Sequence, residues 1–202
     1  MAKFNLPSGV QWFSANDSLN RKLLIYKLTS WLSAWGYKQI EIPTLMPKSL
    51  FQSCVEDTEN RMFELQNMVL IPEVTNYIRA LGLQRLGTNK IFYVAKCFRN
   101  ETSTGKERLK EFTQVGVELL GENSLDCCKV VRKDAIKLFK MLLKSEEWQL
   151  NDGIKRGLNL YNSNKTFEID STENKKQLLG GGPYDSGAGW ALGLERLMLI
   201  GR

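Results

Sequence analysis

The chain has 202 residues, a formal net charge of +6 and no histidine. Hydrophobic residues make up 43% and charged residues 25%, a globular composition that excludes a disordered chain and fits a single domain. Without imidazole there is no Ser-His-Asp or Cys-His nucleophile and no His-ligated zinc, so acid–base and charge-stabilising work falls to carboxylates, Lys, Arg, Tyr or Cys.

Asp17 and Ser18 predict the cap of a helix whose apolar positions Leu23, Leu24, Leu28, Trp31, Leu32 and Trp35 recur at helical spacing, with Gly36 ending it. Lys38 to Ile42 alternates and predicts a strand stopped by Pro43. Over 61–71 the pattern predicts two short strands about a Gln66-Asn67 turn, followed by a helix from Glu73 to Leu83. Ile91 to Arg99 and Phe112 to Leu119 are apolar strands separated by a polar loop, Asn100 to Glu111. A second long helix starts at Ser124, with Leu125, Cys128, Val131, Ala135, Leu138, Phe139 and Leu142 on one stripe. Trp148–Leu150, the turn Asn151-Asp152-Gly153 and Ile154 to Tyr161 predict a hairpin. A further hairpin follows from Thr166–Asp170 and Gln177–Leu179, and Gly180-Gly181-Gly182 leads toward a final helix from Ala191. The expected fold class is α+β, with a mostly antiparallel sheet flanked by helices.

The cysteines Cys54, Cys97, Cys127 and Cys128 lack paired metal spacing and read as free thiols of a reducing compartment. No stretch approaches the length of an apolar membrane span, so a soluble, cytoplasmic protein without a membrane partner is expected. The basic balance suits a polyanion partner such as RNA or ATP.

Three segments set charged residues within apolar strands or beside glycines. In the first, Cys97-Phe98-Arg99-Asn100-Glu101 leads past Arg108 to a strand whose alternation puts Phe112, Gln114, Gly116 and Glu118 on one face. A ring, an amide and a carboxylate make a poor core face and a good small-molecule site. The second is Lys155-Arg156-Gly157-Leu158-Asn159-Leu160-Tyr161, and the third runs from Gly189 to Leu197 and includes Arg196.

In this order and spacing the segments resemble the catalytic core of class II aminoacyl-tRNA synthetases, most closely the histidyl branch. Ile40-Glu41-Ile42-Pro43 is similar to motif 1, Phe98-Arg99-Asn100-Glu101 through Glu118 to motif 2, and Gly189 to Leu197 to motif 3. Pro72-Glu73-Val74-Thr75 and Arg156 to Asn162 resemble motifs of the histidyl branch. The resemblance implies that Arg99 holds the ATP α-phosphate and the substrate carboxylate, and that Glu101 meets the adenine amino group. It implies further that Arg108 reaches the γ-phosphate while Phe112 and Arg196 cover the two adenine faces. Glu73, Thr75 and Gln114 would bind the α-ammonium, and Arg156 would lie against the α-phosphate and the substrate carboxylate. Glu118 and Tyr161 would read the imidazole, with Tyr184 nearby. The implied substrates are histidine and ATP with Mg²⁺, the implied assembly is a homodimer, and a tRNA acceptor end is a further implied partner. No metal-ligand set is legible.

The chain departs from the family in three ways. The turn Asn151-Asp152-Gly153 stands where an insertion domain is expected, an anticodon-binding domain is not expected after motif 3, and the stretch from Asp185 to Gly189 is short. Residues 1–202 are accordingly expected to form one catalytic-core domain. Ile71, Thr113 and Asn159 replace family residues. The expectation is histidine activation to histidyl-adenylate. One alternative is a non-catalytic relative like the regulatory subunit of ATP phosphoribosyltransferase. Others are adenylate transfer to a non-tRNA acceptor and a dimeric RNA-binding module.

Overall fold

A computed structural model describes residues 5–51, 61–102, 104–105, 108–154 and 164–200. Helix α1 (Ala15–Ala34) is followed by β1 (Lys38–Gln39), β2 (Leu45–Pro47), β3 (Glu64–Leu65), β4 (Met68–Leu70) and helix α2 (Thr75–Leu86). Strands β5 (Lys90–Phe98) and β6 (Glu111–Leu120) precede helix α3 (Ser124–Leu142). Then come β7 (Trp148–Asp152), β8 (Phe167–Ser171), β9 (Gln177–Tyr184), β10 (Gly187–Gly193) and the short helix α4 (Leu194–Leu197). The main sheet has seven strands in the order β1-β5-β6-β10-β9-β8-β7, and β2-β4-β3 form a three-stranded sheet. Among the described residues every strand pairing is antiparallel except β1 with β5. The α+β expectation holds.

Period-2 alternation assigns each face of the central strands its own task. On β6, Val115 and Val117 join a core with Leu28 and Leu32 of α1 and Val131, Ala135, Leu138 and Phe139 of α3. On β5, Ile91, Tyr93, Ala95 and Cys97 face the opposite way, into a second core with Val69, Ile71, Val74 and Ile78. Trp190 of β10 is buried in the first core, and its indole N–H donates to the Val131 carbonyl at 3.0 Å.

Several local expectations need correction. Ser14, not Asp17 or Ser18, caps α1, its hydroxyl accepting the Asp17 N–H at 3.2 Å. Leu23 belongs to the exposed face of α1 rather than to its packed stripe. The strand predicted to Ile42 ends at Gln39, two residues being enough to pair with Ile91 and Phe92. The glycines Gly180–Gly182 do not lead into a helix. They lie inside β9, where a Cβ on Gly181 would sit 2.5 Å from the Gly189 carbonyl and 2.7 Å from Trp190 Cβ. Ala191 is likewise in a strand, and the terminal helix begins at Leu194. The partner of β7 is β8, with Asp152 opposite Phe167. The strand expected over Ile154–Tyr161 falls almost wholly on residues 155–163, outside the described residues.

Candidate active site

The site lies on the sheet face opposite α1 and α3, and glycines make it deep. Gly116 opposes Tyr93 across the β5–β6 pair, where a Cβ would come within 2.3 Å of the Tyr93 hydroxyl. Gly189 opposes Glu118 across β6–β10, and a Cβ there would sit 1.8 Å from Glu118 Oε2. The missing side chain makes room for the carboxylate.

Glu118 is 1% exposed. The Thr75 hydroxyl donates to its Oε1 at 3.0 Å and the Tyr184 hydroxyl to its Oε2 at 2.8 Å. Burial nevertheless dominates and, with help from the nearby Glu73 charge, pushes the Glu118 carboxyl up to about 8. Glu73 is 4% exposed and closes the first turn of α2, accepting the N–H groups of Thr75 at 2.8 Å and Asn76 at 3.1 Å. Its carboxyl is also raised by burial, against the pull of those donors and of the Arg99 charge. Two desolvated acids and two hydroxyls thus share one recess.

Beside it opens a cleft with about 740 Å³ of empty space, part of it continuous with solvent. Its walls include Arg99, Glu101, Arg108, Phe112, Gln114 and Arg196. Arg99 joins the two regions: its Nε donates to the Pro72 carbonyl at 3.0 Å, and its guanidinium lies 5.0 Å from the Phe112 ring centroid. Arg108 grips the buried Glu101 through Nε at 2.8 Å and Nη2 at 2.6 Å. Arg61 stands 3.7 Å from the same Glu101 oxygen. Arg196 donates to the Gln177 carbonyl at 2.9 Å, and Gln114 accepts from the Cys97 thiol at 3.3 Å.

The structure therefore brings together Glu73, Thr75, Arg99, Glu101, Arg108, Phe112, Gln114, Glu118, Tyr184 and Arg196 on one side of the sheet. Arg156 and Tyr161 lie outside the described residues. Glu195, which sequence reasoning passed over, lines the cleft at 8% exposed, accepts the Thr113 N–H at 2.8 Å and stands 3.7 Å from Arg21. Its position beside Arg196 at the start of a helix was the one available signal. Among the described residues, no group of three or more His, Cys, Asp or Glu side chains is disposed to hold a metal ion. No helix among them is long and apolar enough to cross a membrane.

The antiparallel sheet with helices on one face and this recess on the other is the catalytic-core fold of class II aminoacyl-tRNA synthetases. A histidine–tRNA ligase subunit from Alicyclobacillus acidocaldarius superposes with a TM-score of 0.79 over 98% of this chain and 97% of its own, at 13% identity. Residues 9–150 match the family described as histidyl-tRNA synthetase, and the chain belongs to that family. It is 31% identical over 131 residues to the histidine–tRNA ligase of Methanococcus aeolicus, covering 60% of this chain and 31% of that one. It is also 29% identical over 187 residues to an ATP phosphoribosyltransferase regulatory subunit of Caldanaerobacter subterraneus, covering 85% of this chain and 48% of that one. The chain spans about a third to a half of the length of these curated relatives.

Proposed function

We propose that this chain activates histidine with ATP, forming histidyl-adenylate and releasing pyrophosphate, as a cytoplasmic homodimer. The observation that carries the reading is a buried, hydrogen-bonded carboxylate, Glu118, beside a cleft walled by Arg99, Arg108 and Arg196. A recess with two desolvated acids suits a ligand bearing an ammonium and a nitrogen heterocycle. A cleft with three guanidiniums and an aromatic ring suits a nucleotide.

In the reaction, a histidine carboxylate oxygen attacks the α-phosphorus of ATP, and the bond to the β-phosphate bridging oxygen breaks. The electron pair leaves with pyrophosphate, and no proton need move. The barrier is the approach of two anions and the charge that builds at phosphorus, so fixed cations supply the catalysis and a histidine-free site suffices. Arg99, anchored to Pro72 and backed by Phe112, is the pre-organised cation at the α-phosphate and substrate carboxylate. Arg156 is its partner in this proposal. Glu101 reads the adenine amino group, Arg108 holds the γ-phosphate, and Phe112 and Arg196 sandwich the base. Glu73, Thr75 and Gln114 take the α-ammonium, while Glu118, with Tyr184 and Tyr161, takes the imidazole. The cleft carboxylates Glu101 and Glu195 are already engaged, so the donor set fits Mg²⁺ carried in on the nucleotide's own phosphate oxygens, where it would neutralise the leaving pyrophosphate. Transfer to a tRNA 3′ end is the step that would follow.

Dimerisation has its own support. Leu19, Leu23 and Tyr26 recur along the solvent side of α1 at 55%, 56% and 71% exposed, an apolar strip of the kind that subunit contacts cover.

A second reading is a histidine-sensing, non-catalytic subunit, which the long match to regulatory subunits favours. A sensor has no need for the three-arginine cleft. Amino-acid-dependent ATP–pyrophosphate exchange, run separately with each proteinogenic amino acid, decides between them. Exchange with histidine alone is expected; exchange with none sinks the activation reading in favour of the sensor.

A further inference from the structure

The sheet face turned away from the site holds a feature that amino-acid activation does not use. Along the solvent side of α3, Lys133, Lys137, Lys140 and Lys144 follow one another at spacings of four, three and four residues, the last just past the helix end, and all are exposed. At about 1.5 Å per residue they form a line about 16 Å long. Among the described residues none of the four makes an ion pair. The helix's acids are committed elsewhere: Asp126 pairs with Lys129 at 2.8 Å, and Asp134 accepts the Tyr37 hydroxyl at 2.8 Å.

Aromatic rings extend this line onto α1. The Lys137 ammonium lies 4.3 Å from the Trp35 ring centroid, and Lys27 lies 5.6 Å from that of Trp31, one turn earlier. Lys90 donates to the Trp35 carbonyl at 2.7 Å and lies 4.3 Å from the Tyr37 ring centroid. The result is a basic surface interleaved with tryptophan across two neighbouring helices. Like charges at helical neighbour positions repel, so the helix gains nothing from the line itself. A cation in the last turn complements the helix dipole, which accounts for Lys140 but not for Lys133 or Lys137.

We infer that this α1–α3 face docks the phosphate backbone of an RNA, on the side of the sheet opposite the activation site. A bilayer is the poorer partner. The apolar stripe of α3, Val131, Ala135, Leu138 and Phe139, is wholly buried in the core, and its exposed apolar residues Leu125, Val130 and Met141 are scattered, so α3 offers no face to enter lipid, while the exposed apolar strip of α1, Leu19, Leu23 and Tyr26, is the one assigned above to the subunit contact. RNA needs only cations at successive phosphates and rings against which bases or sugars can lie.

The test is fluorescence anisotropy of a labelled RNA hairpin against the intact chain over a range of salt. Three proteins are compared: wild type, K137Q/K140Q/K144Q, and the control K48Q/K175Q/K176Q, which removes the same charge elsewhere. Thermal unfolding reports folding, so the outcome does not depend on any activation activity. The α3 variant should bind at least tenfold more weakly, and its log K against log salt slope should be shallower by about two to three, while the control stays within about threefold of wild type. Equal losses in both variants mean that only net charge matters and overturn the assignment. So does RNA binding that is absent in wild type. Binding of wild type to phosphatidylserine vesicles that is as tight as RNA binding, and lost in the α3 variant, overturns it in favour of a membrane.

Discussion

Replacing Glu118 by Gln isolates the cost of keeping a carboxyl in the recess. Burial holds the folded-state value near 8, against 4.5 for the exposed group, so the folded protein binds a proton there that the unfolded chain has released. Between those values the unfolded state binds fewer protons, and stability falls as pH rises, by about 1.4 kcal/mol per pH unit. The contribution is fully present below about pH 4.5 and lost by about pH 8, and over two units inside that window it amounts to nearly 3 kcal/mol by the same relation. Glutamine keeps the shape, can accept from Thr75 and can donate to Tyr184, but does not titrate. Urea unfolding of both proteins at about pH 5.5, 6.5 and 7.5 should show E118Q gaining on wild type steadily, by roughly 2–3 kcal/mol in all. Glu73 is present in both, and the difference between the two proteins includes its coulombic coupling to Glu118. Parallel stability curves would refute the reasoning, because they would mean that Glu118 is ionised throughout. In exchange assays the same substitution should raise the KM for histidine at least tenfold, the worth of one charge-assisted hydrogen bond, and leave the KM for ATP unchanged.

Arg108→Ala should raise the KM for ATP about tenfold with little change for histidine, since Arg108 touches the cleft and not the recess; equal effects on both would show it to be structural. Gly189→Ala should cost about 3 kcal/mol or more in denaturant unfolding, because its Cβ would meet both Glu118 Oε2 and the Val117 carbonyl at 2.5 Å; a loss under about 1 kcal/mol would mean that the β6–β10 pair yields easily. Leu23→Glu with Tyr26→Glu should halve the mass seen by light scattering without lowering the melting temperature of the monomer. A wild-type protein that is already monomeric would remove the α1 contact from the account.

The parts of this structure that were legible in sequence are those where a single strand or helix determines the outcome. Alternation along Phe112–Glu118 and the stripe of α3 needed only the 2.0 and 3.6 periods, and both hold in the fold except at Leu125, which lies exposed in the first turn of α3. What could not be read depended on neighbours distant in sequence. The run Gly180–Gly182 reads locally as leading toward a helix, yet it is strand because Trp190 and the Gly189 carbonyl press against it from β10. Glu73 offers a similar lesson: as a motif residue it suggests a ligand, and in the fold it also caps α2. The Glu101–Arg108 pair was likewise invisible, since each residue reads separately as a nucleotide contact and only the folded loop joins them.

That pairing bears on how the site would fill. Glu101 is buried, and among the described residues its cation partners are Arg108 and the more distant Arg61. An adenine amino group at Glu101 would have to displace Arg108, and a γ-phosphate is the group that would receive the guanidinium so released. The exchange conserves charge-assisted bonds only when both ends of the nucleotide arrive together. Adenosine alone would free Arg108 with nothing to bind, and triphosphate alone would leave the buried Glu101 with the more distant Arg61 as its remaining cation partner among the described residues. Adenosine and inorganic triphosphate should therefore each inhibit exchange far more weakly than their separate contacts suggest. A mixture of the two should inhibit more than additively, and strictly additive inhibition would show that the Glu101–Arg108 pair survives nucleotide binding.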